Sequence, residues 1–120
     1  MRSLILASTI VLIAGPALAE GVTVKMFEAL ESGQGKEMGT VTVSQSADGL
    51  SFKADLSGLP AGEHGFHVHE KGSCAPAEQD GKMTPAQAAG GHYDPDGSKH
   101  HMGPEGHGHM GDLPLLKANA

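Results

Sequence analysis

Tryptophan is absent from the chain, tyrosine occurs once and phenylalanine three times, so no core built on many large rings is available. Cysteine also occurs once, at Cys74, which excludes a disulfide within these residues and a zinc site of the multi-thiolate kind. Basic residues are few: 8 Lys and Arg stand against 14 Asp and Glu, a net charge of −6 with histidines neutral. No Lys/Arg stripe exists to displace counterions from phosphates, so nucleic acid is not an expected partner. The apolar run Leu4 to Ile13 is shorter than the ~20 residues a membrane span needs. Glycine-rich phosphate loops, His-Glu-x-x-His and Gly-x-Ser-x-Gly are missing too, which removes nucleotide-binding, zinc-protease and serine-hydrolase readings.

What is present begins with an address. Met1 and Arg2 form a basic start, the apolar run is broken at Gly15 and Pro16, and Ala17-Leu18-Ala19 fits the small-x-small cleavage rule. Residues 1–19 are therefore expected to be a signal peptide, and residues 20–120 a single exported domain with no membrane attachment after cleavage. The destination that fits best is a bacterial periplasm, an oxidising compartment. Loss of Arg2 takes the net charge from −6 to −7.

The first half of that domain reads as strands. Val22, Val24 and Met26 share one face of a period-2 segment, Thr40 to Ser44 is β-branched, and Leu50 to Leu56 alternates again. Gly33 to Gly35 and Asp48-Gly49 read as turns. Short antiparallel strands joined by tight turns follow, with Phe66 to Glu70 as a fourth. The 18 glycines and 7 prolines suit an all-β fold with long loops. From Lys71 to Asp112 the alternation disappears, and so long an irregular stretch in a small domain calls for a function. Leu113 to Leu116 then reads as the opening of another strand.

That stretch and the segment before it carry the chemistry. His67 and His69, at i and i+2 in a strand, project from one face and can reach one metal ion. His92 follows two glycines, where backbone can approach closely. His101, His109 and Asp112 share a loop, and three imidazoles with one carboxylate make an acceptable tetrahedral zinc set. Imidazole-rich sites also suit copper. Assigning His92, His101, His109 and Asp112 to one ion leaves His67 and His69 short of partners for a second. If His92 serves both ions through its two ring nitrogens, the second has three ligands.

Four ordered motifs, Gly65-Phe66-His67-Val68-His69-Glu70, Gly90-Gly91-His92-Tyr93-Asp94-Pro95, the His-x-Gly-Pro of His101 to Pro104, and Gly108-His109-Met110-Gly111-Asp112-Leu113-Pro114, resemble the metal-binding motifs of the copper/zinc superoxide dismutases in their bacterial periplasmic form. The resemblance runs from about Val22 onward. It implies an eight-stranded Greek-key β-barrel or sandwich, here C-terminally incomplete, with a long metal-binding loop. It also implies copper and zinc as cofactors and superoxide as substrate, disproportionated to oxygen and hydrogen peroxide. Carried over by position, His67, His69 and His92 serve catalysis at copper, His92 bridges to zinc, and His101, His109 and Asp112 complete zinc. Zinc on one nitrogen of His92 favours loss of the other N–H proton, so the ring can bind copper and later accept a proton.

The same resemblance makes Cys74 one half of an intrachain disulfide whose partner lies nearer the C-terminus than Ala120. A fourth copper histidine, an anion-guiding arginine, a charged channel loop and the last strands are likewise expected beyond that point. The 120-residue chain alone is therefore expected to hold copper loosely, to be little more active than free copper ion, and to leave an open sheet edge that aggregates or pairs with another copy or a complementing chain. The alternative from a different class is a non-catalytic periplasmic zinc- or copper-binding protein. His64, His100 and His107 fall outside the motif positions and read as solvated loop histidines. Met83, Met102 and Met110 read as loop filler rather than soft copper ligands, and Lys71, Lys82 and Lys99 as surface charges.

Overall fold

The structure is a computed structural model that describes residues 21–119. The expected signal peptide and its cleavage site lie outside the described residues. Three strands, β1 (Val22–Leu30), β2 (Gly33–Ser46) and β3 (Gly49–Leu56), form an antiparallel sheet in the order β1-β2-β3. Its register explains the alternation in the sequence: Val24 lies opposite Val41 and Val41 opposite Ala54, while Val43 lies opposite Phe52. These residues stack across one face, and the intervening Ser51, Lys53 and Asp55 are exposed on the other. Two-residue loops, Glu31-Ser32 and Ala47-Asp48, connect the strands, so the first turn falls just before the glycines that suggested it. Register shifts on either side of Phe27 bend β1 near its end.

The core is thin. Among the described residues Val41 and Ala89 are the buried apolar ones, whereas Val22 and Leu50 are 65% and 62% exposed. The sheet reaches the rest of the chain through Phe52, whose ring meets Phe66 edge-on at 6.2 Å. Phe66 immediately precedes His67, so sheet packing fixes the start of the metal-binding stretch.

Three short elements differ from the sequence reading. The fourth strand, β4, spans Gly62–His64 and pairs with β7 (Leu116–Ala118). Phe66 to Glu70 instead makes isolated bridges, because its partners are loop backbones rather than a continuous strand. Within the stretch expected to be irregular, β5 (Ala77–Gln79) and β6 (Lys82–Thr84) form a hairpin closed by Asp80-Gly81, both at positive φ. That dipeptide is a type I′ signal, but the strands beside it are too short to show a period. A single 3₁₀ turn, Gln87–Ala89, leads into Gly90.

Gly39, within β2, marks the tightest approach in the sheet. Its φ is +127°, and a Cβ there would collide with the Asp55 carbonyl oxygen of β3. Gly39→Ala is expected to destabilise the protein by about 3 kcal/mol, combining backbone strain with a forced separation of two strands. A urea midpoint equal to that of the unaltered protein would refute this.

Candidate metal centre

Backbone hydrogen bonds bring the motif segments together before any side chain is considered. Val68 N–H donates to the Gly111 carbonyl at 2.8 Å, Glu70 N–H to Gly91 at 3.0 Å and Leu113 N–H to Phe66 at 3.0 Å. His67 therefore lies opposite Asp112, and His69 opposite His92, in antiparallel bridges. His109 N–H donates to the His100 carbonyl at 3.0 Å, and Asp112 N–H to His109 at 3.1 Å, which folds the loop back on itself.

Asp112 is the hub. It is only 3% exposed, and four imidazole Nδ1 atoms surround its carboxylate. His92 donates to Oδ1 at 2.9 Å, with the Nδ1 atoms of His67 and His109 3.4 and 3.6 Å from the same oxygen. His101 Nδ1 is 3.0 Å from Oδ2. Donor atoms of His67, His92, His101 and Asp112 all lie within 4.8 Å of one another, a spacing that one ion can bridge. His67, assigned to copper by position, thus sits nearer Asp112 than His109 does, at 3.4 against 3.6 Å. His92 is the central ring: it stacks on His67 with centroids 3.9 Å apart and meets His69, His101 and His109 at 5.2 to 5.3 Å.

His69 is held differently. Its Nδ1 is 3.0 Å from the Gly90 carbonyl, to which it can only donate, so Nε2 carries the free lone pair. Glu70 braces that carbonyl's segment: its Oε1 accepts from Gly91 N–H at 3.3 Å and fills the space a side chain on Gly90 would need. Asp94 shapes the loop toward His101, accepting from Ser98 N–H and Oγ and from Lys99 N–H, each at 3.0 Å. Those bonds, the Lys99 one foremost, hold the Asp94 carboxyl below its ordinary value. Asp94-Pro95-Asp96-Gly97 has the composition of such a turn, so Asp94 was findable from sequence; nothing in the sequence singles out Glu70. His100 and His107 are exposed, as solvated loop histidines would be, whereas His64 is a half-buried residue of β4, not of a loop, with its Nε2 2.7 Å from the Pro60 carbonyl; Cys74 is an exposed free thiol.

Three buried polar atoms in this cluster, His67 Nδ1, His109 Nδ1 and Asp112 Oδ2, have no hydrogen-bond partner of acceptable geometry. Leaving such atoms unpaired costs roughly 1–3 kcal/mol each, and orphans converging on one point are what a cation would satisfy. The residue types fit zinc and copper alike. Two surface grooves among the described residues, of about 350 and 360 Å³, are lined by none of these residues.

Burial, then the adjacent His92, pushes the His67 imidazole below its ordinary 6.5. Burial acts to raise the Asp112 carboxyl, but the His92 hydrogen bond and the nearby imidazoles outweigh it and hold the group below 3.8. A folded-state value below the ordinary one means that the unfolded chain binds more protons between the two. Each group's contribution to stability is thus complete above its ordinary value and lost as pH falls. The urea midpoint of the metal-free protein should decline first below 6.5, through His67, and again below 3.8, through Asp112. A midpoint flat from about pH 7 to about pH 5 would contradict the His67 part.

Comparison with known proteins converges on one family. Residues 37–120 match the family described as copper/zinc superoxide dismutase (SODC). A copper/zinc superoxide dismutase of Brucella abortus is 63% identical over 120 residues, spanning all of this chain and 69% of the relative. One from Escherichia coli K12 is 47% identical over 119 residues, again 69% of the relative. The solved structure of Cu/Zn superoxide dismutase from Brucella abortus superposes with a TM-score of 0.81 at 63% identity, covering 83% of this chain and 65% of that one. The solution structure of the monomeric enzyme from Salmonella enterica gives 0.70 at 48% identity, covering 82% of this chain and 65% of that one. The chain thus spans about two thirds of its relatives' length. A family match over residues 37–120, with a relative 63% identical along the whole chain, makes this chain a member of the copper/zinc superoxide dismutase family.

Proposed function

We propose that these residues form the metal centre of a periplasmic superoxide dismutase. In this reading His92, His101, His109 and Asp112 hold zinc, while His67, His69 and the second nitrogen of His92 hold copper. The observation that carries the reading is the convergence of orphaned, buried donor atoms around Asp112, which an ion would satisfy. Copper, when bound, supplies a one-electron couple that superoxide can drive in both directions, and zinc supplies a fixed positive charge.

The protein's own groups do the rest. His69, with Nδ1–H committed to the Gly90 carbonyl, presents Nε2 without needing to change tautomer. His92 Nδ1–H donates to Asp112 in the metal-free protein; were Nδ1 to lose that proton and turn to zinc, Nε2 would be the ring atom left to accept and return a proton as two superoxide ions and two protons become oxygen and hydrogen peroxide. Export is proposed on the basic start, apolar run and Ala17-Leu18-Ala19; a periplasmic protein whose intact mass begins at Glu20 is the expected finding, and retention of residues 1–19 would refute it.

Activity is tested by superoxide disproportionation at matched copper occupancy with a chelator control. The assay should include this chain and a form continued with the remaining residues of the Brucella abortus relative. The continued form should turn over rapidly, resist chelation and fail when His92 is replaced by alanine. The 120-residue chain should perform near the level of free copper, because three imidazoles grip the ion weakly. A continued form no faster than free copper would overturn the enzymatic reading and favour a metal-binding protein without turnover.

A further inference from the structure

The three segments that carry the ligands meet in a closed ring of backbone hydrogen bonds. Val68 N–H donates to the Gly111 carbonyl, Gly111 N–H to the Tyr93 carbonyl, and Tyr93 N–H to the Val68 carbonyl, each at 2.8 Å. Every polar backbone group of the three residues is thereby satisfied within the ring. Each member also adjoins a ligand-type residue in sequence: Val68 lies between His67 and His69, Tyr93 follows His92, and Gly111 precedes Asp112. The ring contains no side-chain atom. Its weak point is steric, since a Cβ on buried Gly111 would collide with the Val68 carbonyl oxygen and crowd the Tyr93 nitrogen at 2.9 Å.

We propose that this backbone ring sets the register of the metal centre before metal arrives, with Gly111 as the positioning residue that lets it close. The proposal rests on the metal-centre reading above and adds to it where the preorganisation resides. A site assembled only by its ion would use binding energy to order three separate segments, whereas the ring supplies that order in advance. Gly111 touches no substrate and offers no ligand atom. It acts by allowing three backbones to approach, and thereby aims His67, His69, His92 and Asp112.

Gly91 provides the matched control. It too sits beside a ligand, His92, but a Cβ there meets nothing within 4 Å. Gly111→Ala should weaken zinc binding by about tenfold or more in a chelator competition and broaden or shift the visible bands of the cobalt-loaded protein, while Gly91→Ala should change neither. Unaltered zinc affinity and cobalt bands in Gly111→Ala would overturn the proposal, whereas failure of the unaltered protein to bind zinc would instead overturn the metal-centre reading.

Should Gly111→Ala fail to fold, amide hydrogen exchange in the metal-free unaltered protein decides. The Val68, Tyr93 and Gly111 amides should be protected together and open with a common free energy. Free exchange of the three without metal would show that the ion makes the ring, which is the opposite of what we propose.

Discussion

Replacing Asp112 by asparagine is expected to weaken zinc binding by roughly a hundredfold or more while leaving the strands in place. The substitution keeps the side chain's shape and one oxygen but removes the charge around which four imidazole Nδ1 atoms gather within 3.6 Å. It also puts an amide donor in place of unpartnered Oδ2, or of Oδ1 that accepts from His92, facing rings that must offer lone pairs to an ion. Loss of the charge leaves the Nδ1 atoms of His67 and His109, 3.4 and 3.6 Å from Oδ1, facing an amide in place of a carboxylate. Competition against a chelator measures the loss, and amide exchange of β1 to β3 checks that the fold survives. Zinc affinity within about threefold of the unaltered protein would remove Asp112 from the centre.

The second large effect is expected at His92, and its pattern is more informative than its size. Because this ring adjoins His67, His69, His101 and His109, with Nδ1 facing Asp112, His92→Ala should impair zinc and copper uptake together. His69→Ala should impair copper alone, since its Nδ1 is tied to the Gly90 carbonyl and its ring lies outside the tight group around Asp112. Each ligand loss should cost roughly tenfold to a hundredfold in affinity for the affected ion. Zinc lost equally in both variants would mean that the two sets are not divided at His92.

What the residues disclose of the fold and what they conceal have a common physical origin. The β1 to β3 sheet is legible because one face meets apolar neighbours, and the period-2 pattern survives in the alternating burial of β3 from Phe52 to Leu56, though Leu50 at its start is exposed. The six ligand-type residues are legible because metal chemistry restricts residue type and spacing. Less visible are the contacts in which residue identity plays no part. The Val68–Tyr93–Gly111 ring uses only backbone atoms, so no side-chain pattern announces it. Glu70 is also hidden, since its role depends on Gly91 arriving from 21 residues away. The position of His67 beside Asp112 is tertiary too, and position in a motif could not supply it.

The most direct test of a preformed centre around Asp112 is a zinc titration of the metal-free protein with the imidazole nitrogens observed by NMR. One equivalent should move the Nδ1 resonances of His92, His101 and His109 in step, with saturation at a single ion, while those of His64, His100 and His107 stay where they were. Unmoved Nδ1 resonances at His92, His101 and His109, or zinc-dependent shifts confined to His64, His100 and His107, would contradict it.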